Sequence, residues 1–223
     1  MVQPTLEEAA ELSKRGTVIP VRKEILGDLH TPAAAFLRIA QGRSRVFLLE
    51  SVEGGERLAR YSFIGWDPFL VVRGKGDWIE LEELGEVRRE QAKALDRLRE
   101  ICRRFRPVSL PDLPPFTGGA VGYFAYDFVR QLERLPAVAP DDLGFDDFHL
   151  MFFSSILAFD HLRHRIHIIA NIIQPSGAAN LRARYQDALL RIEQIEKRLS
   201  APISLPPPEP SATTPSARPN YSE

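Results

Sequence analysis

The chain of 223 residues has one cysteine, Cys102, which rules out an internal disulfide and is consistent with a reducing compartment. It has no run approaching the roughly 18 apolar residues of a membrane span. Its start, Met1-Val2-Gln3-Pro4-Thr5-Leu6-Glu7-Glu8, carries acid where a signal peptide would carry base. A cytoplasmic location without a membrane partner is the resulting expectation. Excess charge is also lacking: 29 Lys and Arg stand against 30 Asp and Glu, so nothing favours nucleic acid. The phosphate-cradling patterns G-x-G-x-x-G and G-x-x-x-x-G-K-[ST] are missing, as are G-x-S-x-G and H-E-x-x-H. Nucleotide binding by either standard loop, and catalysis by a local nucleophile or zinc motif, are therefore disfavoured.

What is present is a 44% hydrophobic content, enough to build one large unit or two small ones. Thr5 and Glu8 form a capping box that opens a helix ending near Gly16. Val18 to Leu26 mixes β-branched residues with Pro20 and reads as an edge strand. Thr31 before Pro32, with Gly42 beyond, brackets a helix over about 32–41. Val46 to Glu50 and Tyr61 to Trp66 read as strands joined by a charged loop that holds Gly54 and Gly55. A hairpin is expected from Phe69–Arg73 and Trp78–Leu81.

Ala92, Leu95, Leu98, Cys102 and Phe105 share one helical face, so Cys102 is expected to be a small buried hydrophobe. Gly119 to Ala125 reads as a buried strand with a short helix after it, over Asp127–Glu133. Met151–Phe159 and Arg165–Ile173 form the strongest strand pair. From Leu181 through Tyr185, Ala188, Ile192 and Ile195 to Leu199 the apolar spacing alternates between four and three. That is a long amphipathic helix, whose seam needs the preceding sheet to lie on. Beyond Ser200, closely spaced prolines leave too few apolar residues to fold. The expected organisation is one α+β domain over 1–200, mainly antiparallel sheets with helices outside, then a proline-rich linker or disordered tail over 201–223.

Two clusters could suggest a metal. His161 and His164 fall in a hairpin turn and His167 on a strand, so their nitrogens should diverge, and all three are read as solvated surface. Asp141, Asp142, Asp146 and Asp147 do not follow the EF-hand spacing and read as a solvated loop. Glu50-Ser51 offers more. It closes an apolar strand, and Tyr61, Ser62 and Phe63 would lie beside it if the two strands pair. A carboxylate for an ammonium group, hydroxyls and aromatic faces would suit a zwitterionic aromatic amino acid, although an ordinary strand end accounts for the same residues.

Three extended stretches carry a family resemblance: LLESVEGGERLARYSFIG at 48–65, FTGGAVGYFAYDFVRQLERLP at 116–136 and DDLGFDDFHLMFFSSILAFDHLRHRIHIIANI at 141–172. In order and spacing they resemble the N-terminal part of the large component of anthranilate synthase. That family converts chorismate and ammonia into anthranilate and pyruvate, with a glutamine amidotransferase as partner. The resemblance implies that the catalytic chorismate-binding domain, with its magnesium, lies outside this chain and must be supplied in cis or in trans. It follows that the chain should hold no catalytic residue or cofactor of its own and be inactive alone. The resemblance further implies a regulatory role in L-tryptophan feedback inhibition, with Ser51 as the contact and Glu50, Arg60, Tyr61, Ser62 and Phe63 as its neighbours. Gly118–Gly122 should pack strands, with Tyr123, Tyr126 and Asp127 in the internal framework. The N-terminal portion of aminodeoxychorismate synthase, or a non-catalytic scaffold docking a separate catalytic domain or the amidotransferase, are the alternatives.

Overall fold

The computed structural model describes residues 1–50, 60–136, 141–174 and 180–203. Ser51, the Gly54-Gly55 loop and most of the proline-rich segment lie outside the described residues. In chain order the elements are β1 (Val2–Gln3), α1 (Leu6–Ser13), β2 (Val18–Leu26), α2 (Pro32–Ala40), β3 (Val46–Leu49) and β4 (Tyr61–Trp66). Then come β5 (Leu70–Lys75), β6 (Trp78–Glu83), β7 (Glu86–Gln91), α3 (Ala94–Arg104) and β8 (Gly119–Phe124). After a 3-10 turn at Tyr126–Gln131 follow β9 (Phe148–Phe153), β10 (Ser155–Asp160), β11 (Arg165–Ile173) and α4 (Leu181–Leu199). The fold is α+β: two antiparallel sheets, ordered β1-β2-β11-β10-β4-β3 and β7-β6-β5-β9-β8, with the helices outside them.

Local chemistry explains most element ends. Thr5 Oγ1 accepts the Glu8 N–H at 3.2 Å, and the Glu8 carboxylate accepts the Thr5 N–H at 2.8 Å, which closes the capping box of α1. Thr31 Oγ1 accepts the Ala34 N–H, and Pro32 fills a first-turn site where no amide hydrogen is needed. α4 lays Ala188, Ile192, Ile195 and Leu199 against Ile168, Ala170 and Ile172 of β11. Burying Ile192, Ile195 and Leu199 is worth about 2 kcal/mol each, which holds an otherwise polar helix on the sheet. The second sheet has its own core, where Leu98 and Ile101 of α3 cover Leu70, Val72 and Ile79.

The structure corrects the expected elements in several places. Met151–Phe159 is not one strand. β9 belongs to the second sheet and β10 to the first, and the chain changes sheet at Ser154. Both halves are apolar, so the sequence carries no break at the crossing. β7 escapes the apolar pattern because it is an almost wholly charged edge, EVRREQ, and charge on an edge strand discourages pairing with other chains. The turn before it, Leu84-Gly85, has positive φ at both residues, the geometry a two-residue hairpin requires. β8 is an edge strand and not a buried one, and Tyr123 and Tyr126 are 44% and 93% exposed, outside any internal framework. Cys102 is exposed because Ile101, one position earlier, takes the buried place on α3. His167, by contrast, is buried within β11 and not solvated.

β2 stands inside its sheet, yet β1 pairs only with Arg22 and Lys23, so Pro20 still has no neighbour on that side. Its missing amide hydrogen therefore breaks no ladder.

Candidate functional site

The antiparallel register decides which rim residues can meet. β3 pairs with β4 so that Leu49 faces Phe63, which brings Glu50, exposed and next in the chain, to the end of β4. Strand side chains alternate between faces. Tyr61 and Phe63 therefore share one face, opposite Asp160 and Ala158 of β10, and their rings stack at 5.9 Å. Phe116 meets Phe63 edge-on at 5.5 Å and extends this aromatic surface. Ser62 points to the other face with Phe159; it is fully buried, and its hydroxyl is 2.7 Å from His161 Nε2. The structure thus puts Tyr61 and Phe63 on one face and Ser62 on the other, while Glu50, one residue past the Leu49–Phe63 pair, is exposed and level with Ser62. Ser51 lies outside the described residues.

Arg60 is already engaged. Its guanidinium grips Asp160 through two bonds of 2.6 and 3.1 Å and lies 4.8 Å over the Tyr61 ring. Burial pushes the Asp160 carboxyl up, but hydrogen bonds from Arg60 and from the Arg163 and Leu162 amides outweigh it and hold the group below the usual carboxylate range. Burial, with Asp160 nearby, raises the Tyr61 phenol, which stays neutral. The face consequently presents neutral rings beside a neutralised ion pair, and the exposed Glu50 stands at the end of the neighbouring strand. Such a surface can stack a flat aromatic ring and receive a cationic amine. Sequence reasoning missed Phe116 and Asp160. Both come from distant segments, and only the sheet pairing delivers them.

A second constellation was not foreseen at all. Where the chain changes sheets, Arg191 of α4 donates to the Ser154 and Ser155 hydroxyls, each at 3.1 Å, and to the Asn171 carbonyl at 3.0 Å. Burial draws the Arg191 pKa down, and Asp187, 2.9 Å from Nε, opposes that shift. Asn171 gives its amide hydrogens to the Thr117 and Ser154 carbonyls at 2.6 and 3.1 Å. Gly118 makes this possible: a Cβ there would stand 2.5 Å from Asn171 Nδ2 and 2.9 Å from the Phe153 carbonyl. Beside the cluster lies a cavity of about 630 Å³, walled by residues of both sheets and of α3 and α4.

The histidines and the acidic loop form no metal centre. His161 contacts Ser62, His164 lies 3.5 Å from Asp28, and His167 is 3.7 Å from Glu24. Asp141 pairs with Lys75 and accepts the Gly144 N–H, while Asp147 accepts the Gly76 N–H at 2.8 Å. Among the described residues no group of three or more His, Cys, Asp or Glu converges, so they do not fit a magnesium ion.

Residues 44–222 match the family model of chorismate binding enzymes. The chain belongs to that family. It is 42% identical over 200 residues to anthranilate synthase component 1 of Acetivibrio thermocellus, an alignment covering 89% of this chain and 40% of that protein. With the Synechocystis protein of the same name it shares 34% over 214 residues, 95% of this chain and 42% of the relative. Among solved structures, anthranilate synthase component I from Streptococcus pneumoniae superposes with a TM-score of 0.51 at 25% identity, over 80% of this chain and 37% of that one. The chain therefore spans about two fifths of the length of the curated relatives it matches.

The family match overturns the expectation that the chorismate-binding domain is absent. That expectation took the prolines after Ser200 as the close of a separate N-terminal domain, whereas the match begins at residue 44, just before β3, and runs on through the prolines to residue 222. The readings of a merely regulatory or scaffold piece, of a chain inactive alone, and of magnesium held in a missing domain fall with it. So does the separately supplied catalytic partner, and the relatives' names give no support to the aminodeoxychorismate alternative. Among the described residues no helix is long and apolar enough to cross a membrane.

Proposed function

We propose that the protein serves the synthesis of anthranilate from chorismate, in the cytoplasm, and that its rim at residues 50–63 binds L-tryptophan. The observation carrying the first part is the alignment with anthranilate synthases along 89% and 95% of the chain. Supporting the second is the stacked pair Tyr61 and Phe63, flanked by Phe116, with the exposed Glu50 at the end of the adjacent strand. In this reading Glu50 receives the amino group, Ser51 supplies a hydroxyl, and Tyr61 and Phe63 hold the indole. Arg60 fixes Asp160 under the rings, and Ser62 braces the strand from behind through His161. Residues 1–200 act as one folding unit ahead of a proline-rich linker.

Disrupting the gene in its host tests the pathway assignment. Growth should then require tryptophan or anthranilate, and unaided growth would overturn it. A thermal shift of the purified chain tests the ligand. L-tryptophan at about a hundred times its dissociation constant adds roughly 2.7 kcal/mol. For a chain of this length that is a rise of roughly 5–10 °C. Ser51→Ala and Phe63→Ala should reduce it, and the absence of any shift with L-tryptophan would refute the site.

A further inference from the structure

A small cavity of about 240 Å³ lies where the last turns of α4 meet the end of α2 and the residue after β4. None of the residues assigned to the tryptophan rim lines it, and the proposed function leaves it unused. Its size falls below the roughly 300–1,000 Å³ of sites for drug-sized ligands, so only a small group fits.

Cations dominate the lining: Arg43, Arg191 and Arg198 stand against one carboxylate, Asp67. Arg43 meets Asp67 through Nε at 2.7 Å and donates from Nη1 to the Ile39 carbonyl at 2.8 Å. The carboxylate partner of Arg191 is Asp187, which stands outside this lining in the wall of the larger cleft. The Arg198 guanidinium reaches the Gln41 carbonyl at 3.5 Å and forms no ion pair among the described residues. The carbonyl end of α2 carries partial negative charge, and these bonds to Ile39 and Gln41 already cover it.

The unspent donors define the ligand. Arg43 and Arg198 use fewer than half of their guanidinium N–H groups on the contacts above. Ser154 and Ser155 share the lining, and each hydroxyl accepts from Arg191 Nη1 at 3.1 Å. Accepting leaves the hydroxyl proton to be donated, and neither serine gives it to a described residue. A cavity walled by such donors calls for a group whose atoms accept and whose charge is negative.

We infer that this cavity binds a tetrahedral oxyanion, either inorganic phosphate or the phosphoryl end of a monoester. Arg198 and Arg43 hold its oxygens through charge-assisted bonds, and the Ser154 and Ser155 hydroxyls donate to it. The site shares no residue with the tryptophan rim, so the two readings stand or fall separately.

The test is NMR of the complete chain titrated with anions at pH 7 and constant ionic strength. Inorganic phosphate and sulfate should shift the Arg43 and Arg198 Nε–H signals and the Ser154 and Ser155 amides along one saturating curve. Chloride should not. Methyl phosphate separates the sources: binding equal to that of phosphate admits an ester, and binding about tenfold weaker restricts the site to the free ion. Arg198→Gln should weaken phosphate by about tenfold without moving the urea midpoint, because this exposed side chain makes one long contact. Lys197→Gln removes an exposed cation beside Arg198 but outside the lining, and should leave binding unchanged. No saturation by about 10 mM phosphate, roughly the weak end of ligand affinity, would overturn the inference. So would equal shifts with chloride, or an equal loss in Lys197→Gln, since both mark general screening of surface charge.

Discussion

Replacing Gly65 by alanine should destabilise the first sheet by forcing Phe47 out of place. A methyl group built on Gly65 would stand 2.2, 2.7 and 3.0 Å from three atoms of the Phe47 ring. Carbon atoms pack at about 3.5–4.0 Å, so the ring must retreat by roughly 1 Å. It has little room, being 8% exposed and edge-on to Phe153 at 4.8 Å. Overpacking of this kind costs about 1–3 kcal/mol. The loss of glycine's freedom in the unfolded chain offsets about 0.5 kcal/mol. A net loss of about 1.5 kcal/mol is expected, lowering the melting temperature by roughly 3–6 °C. Phe47→Leu alone should cost about 1–2 kcal/mol, short of the loss for full truncation to alanine.

The double variant decides the question. Independent effects would sum to about 3 kcal/mol, but the smaller leucine vacates the space the new methyl needs. The pair should therefore cost only about 1.5 kcal/mol, a favourable coupling of 1–2 kcal/mol between neighbours. Urea titration of the four proteins, with midpoints compared at constant m-value, measures it. Additivity within about 0.3 kcal/mol would refute the packing of Gly65 against Phe47.

Asp160→Asn should flatten the acid limb of the stability profile. The folded carboxyl is held below its unfolded value of about 3.9, so its contribution is complete above that pH and is lost as pH falls through the lower, folded value. A wild-type slope surviving in the variant would exclude the Arg60 pair as its source. His167 acts at higher pH. Burial lowers its pKa against the raising effect of Glu24 and Asp160, with Arg22 and Arg163 assisting burial. The unfolded chain therefore takes up the proton first, and stability should decline as pH drops below about 6.5. His167→Gln should reduce that decline, to which the partly buried His30 adds in the same direction, in urea midpoints measured between pH 8 and pH 5, and an unaltered slope would count against the burial of His167. Cys102, exposed on α3, should react with a disulfide reagent in the native protein within minutes; a need for denaturant would contradict its placement.

Much of the fold was legible where local chemistry acts alone. The Thr5–Glu8 box and the Thr31-Pro32 start set their helices through bonds made within one turn. The α4 seam announced a sheet beneath it, because residues that far apart share a face only on a helix. The candidate site was legible in part. Tyr61 and Phe63 could be grouped because they alternate onto one face of a single strand, and Glu50 comes near the same strand because β3 pairs with β4. Alternation turns Ser62 to the opposite face, toward His161, which the grouping by sequence did not register.

The sequence by itself determined where helices begin, which strands are apolar, and which family the chain resembles, for those are properties of short stretches and their order. Only the tertiary structure decided that the chain changes sheets at Ser154, that Cys102 faces water and His167 does not, and that Asn171 and Arg191 meet beside a cleft. Those outcomes depend on which distant strand or helix covers each side chain. Spacing along the chain names a face, but burial and partners are conferred by whatever packs upon it.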